Sequence, residues 1–102
     1  SVGISGHTAY AITKGAVISM TLSAAKELGT YGINVNCIAP GIVKTDLIGN
    51  IKEDELNQIT RKIALNRIGQ PQDVANVVLF LSSSLSDYIS GQIIGVDGCY
   101  SM

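Results

Sequence analysis

The sequence predicts an α/β fold that forms the C-terminal portion of a doubly wound parallel-sheet domain. Segments with helical and strand-like patterns follow one another in the order helix, strand, loop, helix, helix, strand. Such alternation is typical of a parallel sheet covered by helices. Two strands are too few for an independent sheet, and the chain does not begin with Met. We therefore expect these residues to be the last third or half of a longer domain.

Composition narrows the classes of function. The 102 residues are 46% hydrophobic and 15% charged, with a net charge of −1, which fits one domain at most. So low a charge content indicates that much of the surface contacts other protein, either a missing part of the chain or a partner subunit. The chain has no cluster of Lys and Arg that would predict nucleic-acid binding. No apolar run reaches the ~20 residues of a membrane span.

The cysteines argue against a metal site. Cys37 and Cys99 are not spaced as metal ligands, and the chain holds one His, so we expect no bound metal. Two unpaired thiols fit a reducing cytoplasm, although the sequence leaves a disulfide open. Cys37 lies in a run of β-branched residues, where a thiol is expected to be buried as a small hydrophobic group.

The first half of the chain predicts a long helix and a strand. Apolar residues recur with helical period over residues 9–28, and Thr8 is placed to cap the start of that helix. Gly29 and Gly32 follow and are expected to end it. Residues 33–39 then alternate between apolar and polar side chains, which predicts a strand.

The middle of the chain is predicted to be a loop followed by a short helix. Pro40-Gly41 ends the strand, and residues 42–50 show no clear period. Residues 52–65 predict an amphipathic helix, because three acids open it and Arg61 and Lys62 lie near its end. That order of charges complements the helix dipole.

The last third predicts a turn, a helix and a second strand. Residues 67–70 form the turn, and Pro71 suits the first position of a helix. Residues 74–81 are apolar almost all round, so we expect this helix to be buried on most faces. Residues 92–96 form the second predicted strand, which ends at Asp97-Gly98.

Tyr10 and Lys14 are the first candidate functional residues. They lie four residues apart in the first predicted helix, and positions i and i+4 share one helix face. A tyrosine normally loses its proton near pH ~10, and a nearby cation favours the phenolate. Tyr10 could then exchange a proton with a substrate near neutral pH. The structural alternative is an exposed helix start that carries an aromatic residue and a lysine.

Four blocks of the sequence resemble the short-chain dehydrogenase/reductase family, in the family's order and spacing. The blocks are Tyr10-Ala-Ile-Thr-Lys14, Asn34-Val-Asn36-Cys-Ile-Ala-Pro40-Gly41-Ile-Val-Lys-Thr45-Asp46, Arg67-Ile-Gly69-Gln-Pro71-Gln-Asp73-Val-Ala75 and Ile89-Ser-Gly91-Gln-Ile-Ile-Gly-Val-Asp97-Gly98. The resemblance is nearest to the 3-oxoacyl-[acyl-carrier-protein] reductase group. It implies that residues 1–102 are the C-terminal part of a single NAD(P)-binding Rossmann domain whose N-terminal cofactor-binding half is absent.

The resemblance also implies roles for individual residues. Tyr10 would protonate a carbonyl oxygen as hydride arrives from the nicotinamide, and Lys14 would favour ionisation of Tyr10 and hydrogen-bond the nicotinamide ribose. The turn after the first strand would hold the cofactor, with the Val43 main chain on the carboxamide and the Thr45 hydroxyl on the carboxamide or the pyrophosphate. The residues implied to bind cofactor are Tyr10, Lys14, Pro40, Gly41, Val43 and Thr45. Residues 46–66 would cover the substrate.

The activity implied is NAD(P)H-dependent reduction of a carbonyl to an alcohol, or the reverse, on a 3-oxoacyl thioester of fatty acid biosynthesis or another small molecule. A sugar, steroid or small-alcohol dehydrogenase is an alternative, and so is a non-catalytic fragment that acts only in assembly. The cofactor is NADP or NAD, with NADP preferred. The whole protein is expected to be a cytoplasmic homotetramer or homodimer, and the 102-residue chain alone is expected to be inactive.

Parts of the family pattern are missing from this chain. It has no Gly-rich dinucleotide loop of the form G-x-x-x-G-x-G, and only nine residues precede Tyr10. The catalytic Ser and Asn of the family are therefore expected upstream of these residues. Cys99 stands where many members carry a second Gly, so the last turn is expected to differ.

Overall fold

The structure is a computed structural model that describes residues 6–46 and 48–100. Its helices and strands, in chain order, are α1 (Gly6–Gly29), β1 (Cys37–Pro40), α2 (Glu53–Arg61), α3 (Pro71–Leu81) and β2 (Ile93–Val96). Single turns of 3-10 helix occur at Ile48–Asn50 and Ser84–Ser86. The predicted order of elements is therefore confirmed, with changes in where several of them begin and end.

The two strands pair with each other and run parallel. The Cys37 N–H donates to the Gln92 carbonyl at 2.9 Å, and the Gly41 N–H donates to the Val96 carbonyl at 2.9 Å. From the first bond to the second, the residue number rises by four in each strand, from Cys37 to Gly41 and from Gln92 to Val96. Two strands whose numbers rise together are parallel. The carboxyl ends of β1 and β2 consequently lie at the same edge of the sheet.

The predicted strand over residues 33–39 is wrong in its first half, because β1 begins only at Cys37. In the residues that precede β1, side chains make the hydrogen bonds that main-chain groups would make in a regular strand. Asn36 donates from Nδ2 to the Ile89 carbonyl at 3.0 Å, and its Oδ1 accepts the Gln92 N–H at 3.1 Å. The Val35 N–H donates to Ser90 Oγ at 3.0 Å. Such side-chain bonds compete with a regular ladder, so this segment pairs without becoming a strand.

Helix α1 begins earlier than predicted, and the turn that ends it contains Gly32. Thr8 lies within the helix and is not its cap, since the helix starts at Gly6. At the other end the Ile33 N–H donates to the Leu28 carbonyl at 3.2 Å and the Gly32 N–H to the Gly29 carbonyl at 3.0 Å. Gly32 has a φ of 74°. These bonds form the Schellman arrangement, in which glycine adopts the left-handed conformation.

Helix α2 is shorter than the predicted 52–65. It ends at Arg61, because the next residues pair with the end of the chain and cannot continue the helix. Ile63 forms an antiparallel bridge with Tyr100. The Ala64 N–H donates to the Cys99 carbonyl and the Leu65 N–H to the Gly98 carbonyl, both at 3.0 Å.

Helix α3 starts at Pro71 as predicted, but the expectation that it is buried is wrong for this chain. None of its side chains is buried, and Leu79 is 72% exposed. Val74, Val77 and Leu81 are half-buried, whereas Val78, Leu79 and Phe80 remain exposed. None of the helices in the described part of the chain has the length and apolar character that crossing a membrane requires.

The described residues divide into two units. The first contains the residues up to Cys37 together with Asp87–Ile93, and the second contains Ile38–Ser86 and the residues from Ile94 onward. In the first unit α1 buries Thr21 and Ala25. In the second unit the buried side chains are Ile63 and Ser86. Cys37, expected to be buried, is only half-buried.

Candidate active site

Tyr10 and Lys14 lie on one face of α1, near its start. The surrounding sequence is rich in alanine, which favours helix, and both residues fall inside the helix from Gly6 to Gly29. Their Cβ atoms are about 5–6 Å apart by helical geometry. Tyr10 is 53% exposed, and Lys14 is exposed as well. Both polar groups are therefore accessible to a bound molecule.

The end of β1 is held tightly against the end of β2. A Cβ atom added to Gly41 would lie 2.6 Å from the Asp97 Cβ atom and 2.7 Å from its Cα atom. Contacts this short do not occur between real carbon atoms, so only glycine fits at this position. The Pro40-Gly41 pair predicted from the sequence therefore ends β1 at a point of close main-chain approach. Doubly wound sheets bind their ligands at this edge.

The turn that contains Val43 is fixed by a parallel bridge to Gly69. The Gly69 N–H donates to the Ile42 carbonyl at 2.9 Å, and the Lys44 N–H donates to the Gly69 carbonyl at 2.8 Å. Neither bond uses the main chain of Val43, whose N–H and C=O lie on the opposite edge in such a bridge. A paired donor and acceptor of this kind suit a carboxamide, so the turn fits the nicotinamide that the family implies.

Thr45 borders an open polar cleft of about 620 Å³. The other residues that line this cleft include Lys44, Asp46, Gln70 and Pro71, the first residue of α3. Lys44, Thr45 and Asp46 are all exposed. The threonine hydroxyl can donate or accept, which fits either of the contacts expected of it.

An ion pair that sequence analysis did not predict lies beside this turn. Arg67 Nη1 donates to Asp73 Oδ2 at 2.8 Å and Arg67 Nη2 to Asp73 Oδ1 at 3.1 Å. The Gln70 N–H also donates to Asp73 Oδ2, at 2.7 Å. The hydrogen bonds from Arg67 and from the Gln70 main chain lower the pKa of Asp73 to about 2, and the same pair raises the pKa of Arg67. Asp73 lies in the first turn of α3.

The predicted site residues fall into both units. Tyr10 and Lys14 belong to the first unit, whereas Pro40, Gly41, Val43 and Thr45 belong to the second. Within the second unit, these four residues follow one another along the carboxyl end of β1 and the turn after it. In the part of the chain that the structure describes, no group of His, Cys, Asp or Glu is arranged to hold a metal ion.

A family model described as enoyl-(acyl carrier protein) reductase matches residues 1–101. Among curated proteins, the chain is 43% identical over 100 residues to 3-oxoacyl-[acyl-carrier-protein] reductase FabG of Rickettsia bellii. The aligned residues make up 95% of this chain and 42% of that relative. The protein of the same name from Thermotoga maritima is 44% identical over 96 residues, covering 94% of this chain and 39% of the relative. The 3alpha-hydroxysteroid dehydrogenase of Mediterraneibacter gnavus is 43% identical over 89 residues, covering 87% of this chain and 36% of the relative.

A solved structure extends the match to the fold. The crystal structure of 3-oxoacyl-[acyl-carrier protein] reductase from Brucella melitensis superposes with a TM-score of 0.83 at 38% identity, covering 91% of this chain and 35% of that chain. The predicted fold class is thereby confirmed. The chain spans about two fifths of the length of the curated relatives from Rickettsia and Thermotoga. A family match over residues 1–101, with relatives above 40% identity, shows that the chain belongs to the enoyl-(acyl carrier protein) reductase family of short-chain dehydrogenases/reductases.

Proposed function

We propose that the full-length protein containing this chain reduces the carbonyl of a 3-oxoacyl thioester with NAD(P)H, or catalyses the reverse reaction. The observation that carries the proposal is the pair of exposed side chains, Tyr10 and Lys14, on one face of α1. The curated relatives named as 3-oxoacyl reductases support the choice of substrate. Residues 1–102 would be the C-terminal part of a single NAD(P)-binding Rossmann domain.

In this proposal Tyr10 is the general acid. A reduced nicotinamide cofactor, when bound, would supply the hydride that the carbonyl carbon receives. The phenol O–H of Tyr10 donates its proton to the carbonyl oxygen, which becomes the alcohol, and the phenolate regains a proton from solvent. Lys14 lies one helical turn further along the same face, where its positive charge stabilises the phenolate. Its ammonium would also hold the nicotinamide ribose by donating a hydrogen bond.

The turn after β1 supplies the remaining cofactor contacts. Pro40 and Gly41 place the main chain at the carboxyl edge of the sheet, and Val43 offers the N–H and C=O that its bridge to Gly69 leaves unused. Thr45 would contact the carboxamide or the pyrophosphate. We propose NADP or NAD as cofactor, with NADP preferred, and a homotetramer or homodimer as the assembly. Neither Cys37 nor Cys99 forms a disulfide in the part of the chain that the structure describes, which supports a reducing compartment such as the cytoplasm.

A steroid dehydrogenase is the second candidate function. The relative from Mediterraneibacter gnavus is as similar to this chain as the 3-oxoacyl reductases are. The segment that would distinguish their substrates, residues 46–66, includes α2, whose first turn carries Glu53, Asp54 and Glu55.

The test is a comparison of substrates on the full-length protein. The loss of NADPH or NADH would be followed with a 3-oxoacyl thioester, a 3-oxosteroid and a 2-enoyl thioester. We expect kcat/KM to be highest for the 3-oxoacyl thioester, by about tenfold or more, since pockets built around a substrate's polar groups discriminate at least that strongly. A preference for the steroid would favour the second candidate. Oxidation with the enoyl thioester alone, or with none of them, would contradict carbonyl reduction.

A further inference from the structure

We propose that Arg67 and Asp73 are positioning residues for the cofactor, because they fix the loop that holds the Val43 turn. The inference rests on the proposed function, in which the main chain of Val43 receives the nicotinamide carboxamide. It adds two residues that neither touch the cofactor nor belong to the Tyr10–Lys14 pair. Three observations carry it: the ion pair, the loop that the pair closes, and the bridge from that loop to the turn.

The ion pair has two parallel bonds, which fixes orientation as well as distance. The guanidinium of Arg67 meets both carboxylate oxygens of Asp73, at 2.8 and 3.1 Å. Bidentate pairing of this kind restricts both side chains to one relative geometry. The side chains are 56% and 32% exposed, and exposed pairs contribute little to stability. The distinctive contribution of this pair is therefore to fix the orientation of the two side chains.

The pair closes residues 67–73 into a loop. Asp73 Oδ2 accepts the Gln70 N–H at 2.7 Å, and the Gln70 carbonyl accepts the Asp73 N–H at 2.9 Å. Arg67 reaches this carboxylate from the other end of the segment. Residues 68–70 are thus held between the start of α3 and the Arg67 side chain, and Gly69 lies in the middle of them.

Gly69 connects the closed loop to the cofactor turn. Its N–H and carbonyl make the two bonds to Ile42 and Lys44, at 2.9 and 2.8 Å. A Cβ atom at Gly69 would lie 3.3 Å from the Ile42 oxygen and 3.8 Å from Asp73 Oδ2. The glycine is therefore close to both the turn and the ion pair. A shift of the loop would move the Ile42 and Lys44 main chain, and Val43 lies between them.

Positioning of this kind affects cofactor binding more than stability. A loosened binding turn lowers the affinity for the molecule it holds, because part of the binding free energy is then spent on ordering the turn. Asp73→Asn keeps the carbon skeleton and one acceptor oxygen. It loses the charge and replaces the other oxygen by an NH2 donor, so the bidentate pair with Arg67 cannot form. We therefore expect the effect to appear in the affinity for NADPH.

The experiment compares four forms of the full-length protein: wild type, Asp73→Asn, Asp73→Glu and Gln72→Ala. Gln72 is the matched control, because it lies on the same helix and its Nε2 donates to Asn76 Oδ1 at 2.8 Å. Its substitution removes a surface hydrogen bond that does not touch the loop. Equilibrium titration of NADPH fluorescence gives the dissociation constant, and amide hydrogen exchange reports on the Gly69 and Lys44 N–H groups.

We expect Asp73→Asn to raise the dissociation constant for NADPH by about fivefold to tenfold, a range set by the modest strength of exposed ion pairs. Exchange at the Gly69 and Lys44 amides should accelerate in the same variant, while kcat at saturating NADPH changes by less than about twofold. Asp73→Glu should recover most of the affinity. Gln72→Ala should leave the dissociation constant and both exchange rates unchanged.

Two outcomes would overturn the inference in distinguishable ways. If wild type binds NADPH and Asp73→Asn binds it equally well, the positioning role is wrong and the proposed function stands. If wild type binds neither NADPH nor NADH, the proposed function fails and this inference fails with it. Should Asp73→Asn lose its cooperative melting, Arg67→Lys takes its place, because it keeps the charge and removes only the bidentate geometry.

Discussion

Gly41 shows how much a single position can constrain the proposed site. The sequence predicts a turn at Pro40-Gly41, and that part is confirmed by the end of β1 at Pro40. The sequence does not predict that Asp97 packs against the glycine, because the two residues are far apart in the chain. The contact follows from the parallel pairing of β1 and β2, which brings their carboxyl ends together. The requirement for glycine here is therefore steric and tertiary.

Substitution of Gly41 by Ala tests this contact. The added Cβ would lie 2.6 Å from the Asp97 Cβ, so one of the two strand ends must move. We expect the free energy of unfolding of the full-length protein to fall by about 1–3 kcal/mol, as for other overpacked sites. Gly49→Ala is the control, since nothing lies within 4 Å of a Cβ at that position. Equal stability of the two variants in denaturant unfolding would contradict the close packing.

The other residues of the proposed site differ in how far the sequence predicts their contacts. Tyr10 and Lys14 are a local pair, and helical periodicity was enough to place them on one face. Arg67 and Asp73 are separated by a turn and by the start of α3, so no helical or strand spacing predicts their ion pair. The Arg67-to-Ala75 block was recognised by its resemblance to the family, which carries no information about which side chains meet.

Among the helices and strands, the largest error is the strand predicted over residues 33–39, and polar side chains explain why it begins only at Cys37. Asn34 and Asn36 alternate with apolar residues and so imitate a strand. In the structure both side-chain amides make hydrogen bonds to the main chain of a distant segment. Asn34 Nδ2 donates to the Asp87 carbonyl at 2.9 Å, and the Asn36 side chain bonds the main chain of Ile89 and Gln92. Residue-by-residue alternation does not reveal such bonds, because their partners lie 53 or more residues away. The early end of α2 also has a long-range cause, but there it is the main chain after Arg61 that pairs with residues 98–100.

The start of α3 gives a prediction about pH. The pKa of Asp73 is lowered to about 2 by its hydrogen bonds from Arg67 and the Gln70 main chain. A carboxyl whose pKa falls on folding stabilises the protein above its unfolded value, near ~3.9. That contribution is lost as the pH falls through about 2. The difference in stability between wild type and Asp73→Asn should therefore be constant above pH ~5 and shrink between pH ~4 and ~2.

The measurement is a pair of unfolding curves across this pH range, together with carboxyl NMR of the folded protein. The Asp73 carboxyl should titrate with a midpoint near the value of about 2. A midpoint near the ordinary ~3.9 would show that the ion pair does not form in solution. It would also remove the first of the three observations that support the positioning role.

At the scale of the whole molecule, this chain leaves much of its apolar surface uncovered. Among the described residues only Ala25 and Ile63 are buried apolar side chains, while Met20 and Leu79 are 71% and 72% exposed. Large exposed apolar surface marks contact with other protein. The low charge content predicted such contacts from composition alone. Composition does not say where the exposed apolar side chains lie, and the structure places many of them on α1 and α3.

The proposed carbonyl reduction depends on the phenol of Tyr10. Its most direct test is the rate of NADPH oxidation by full-length Tyr10→Phe with a 3-oxoacyl thioester. Phenylalanine keeps the ring and removes the proton that the carbonyl oxygen needs. We predict a fall in kcat of about 10²–10⁴-fold with an unchanged melting temperature. Tyr31→Phe is the control, because Tyr31 is 77% exposed and has no lysine four residues on, and it should retain wild-type turnover. A Tyr10→Phe protein that keeps the wild-type rate would contradict the proposed mechanism.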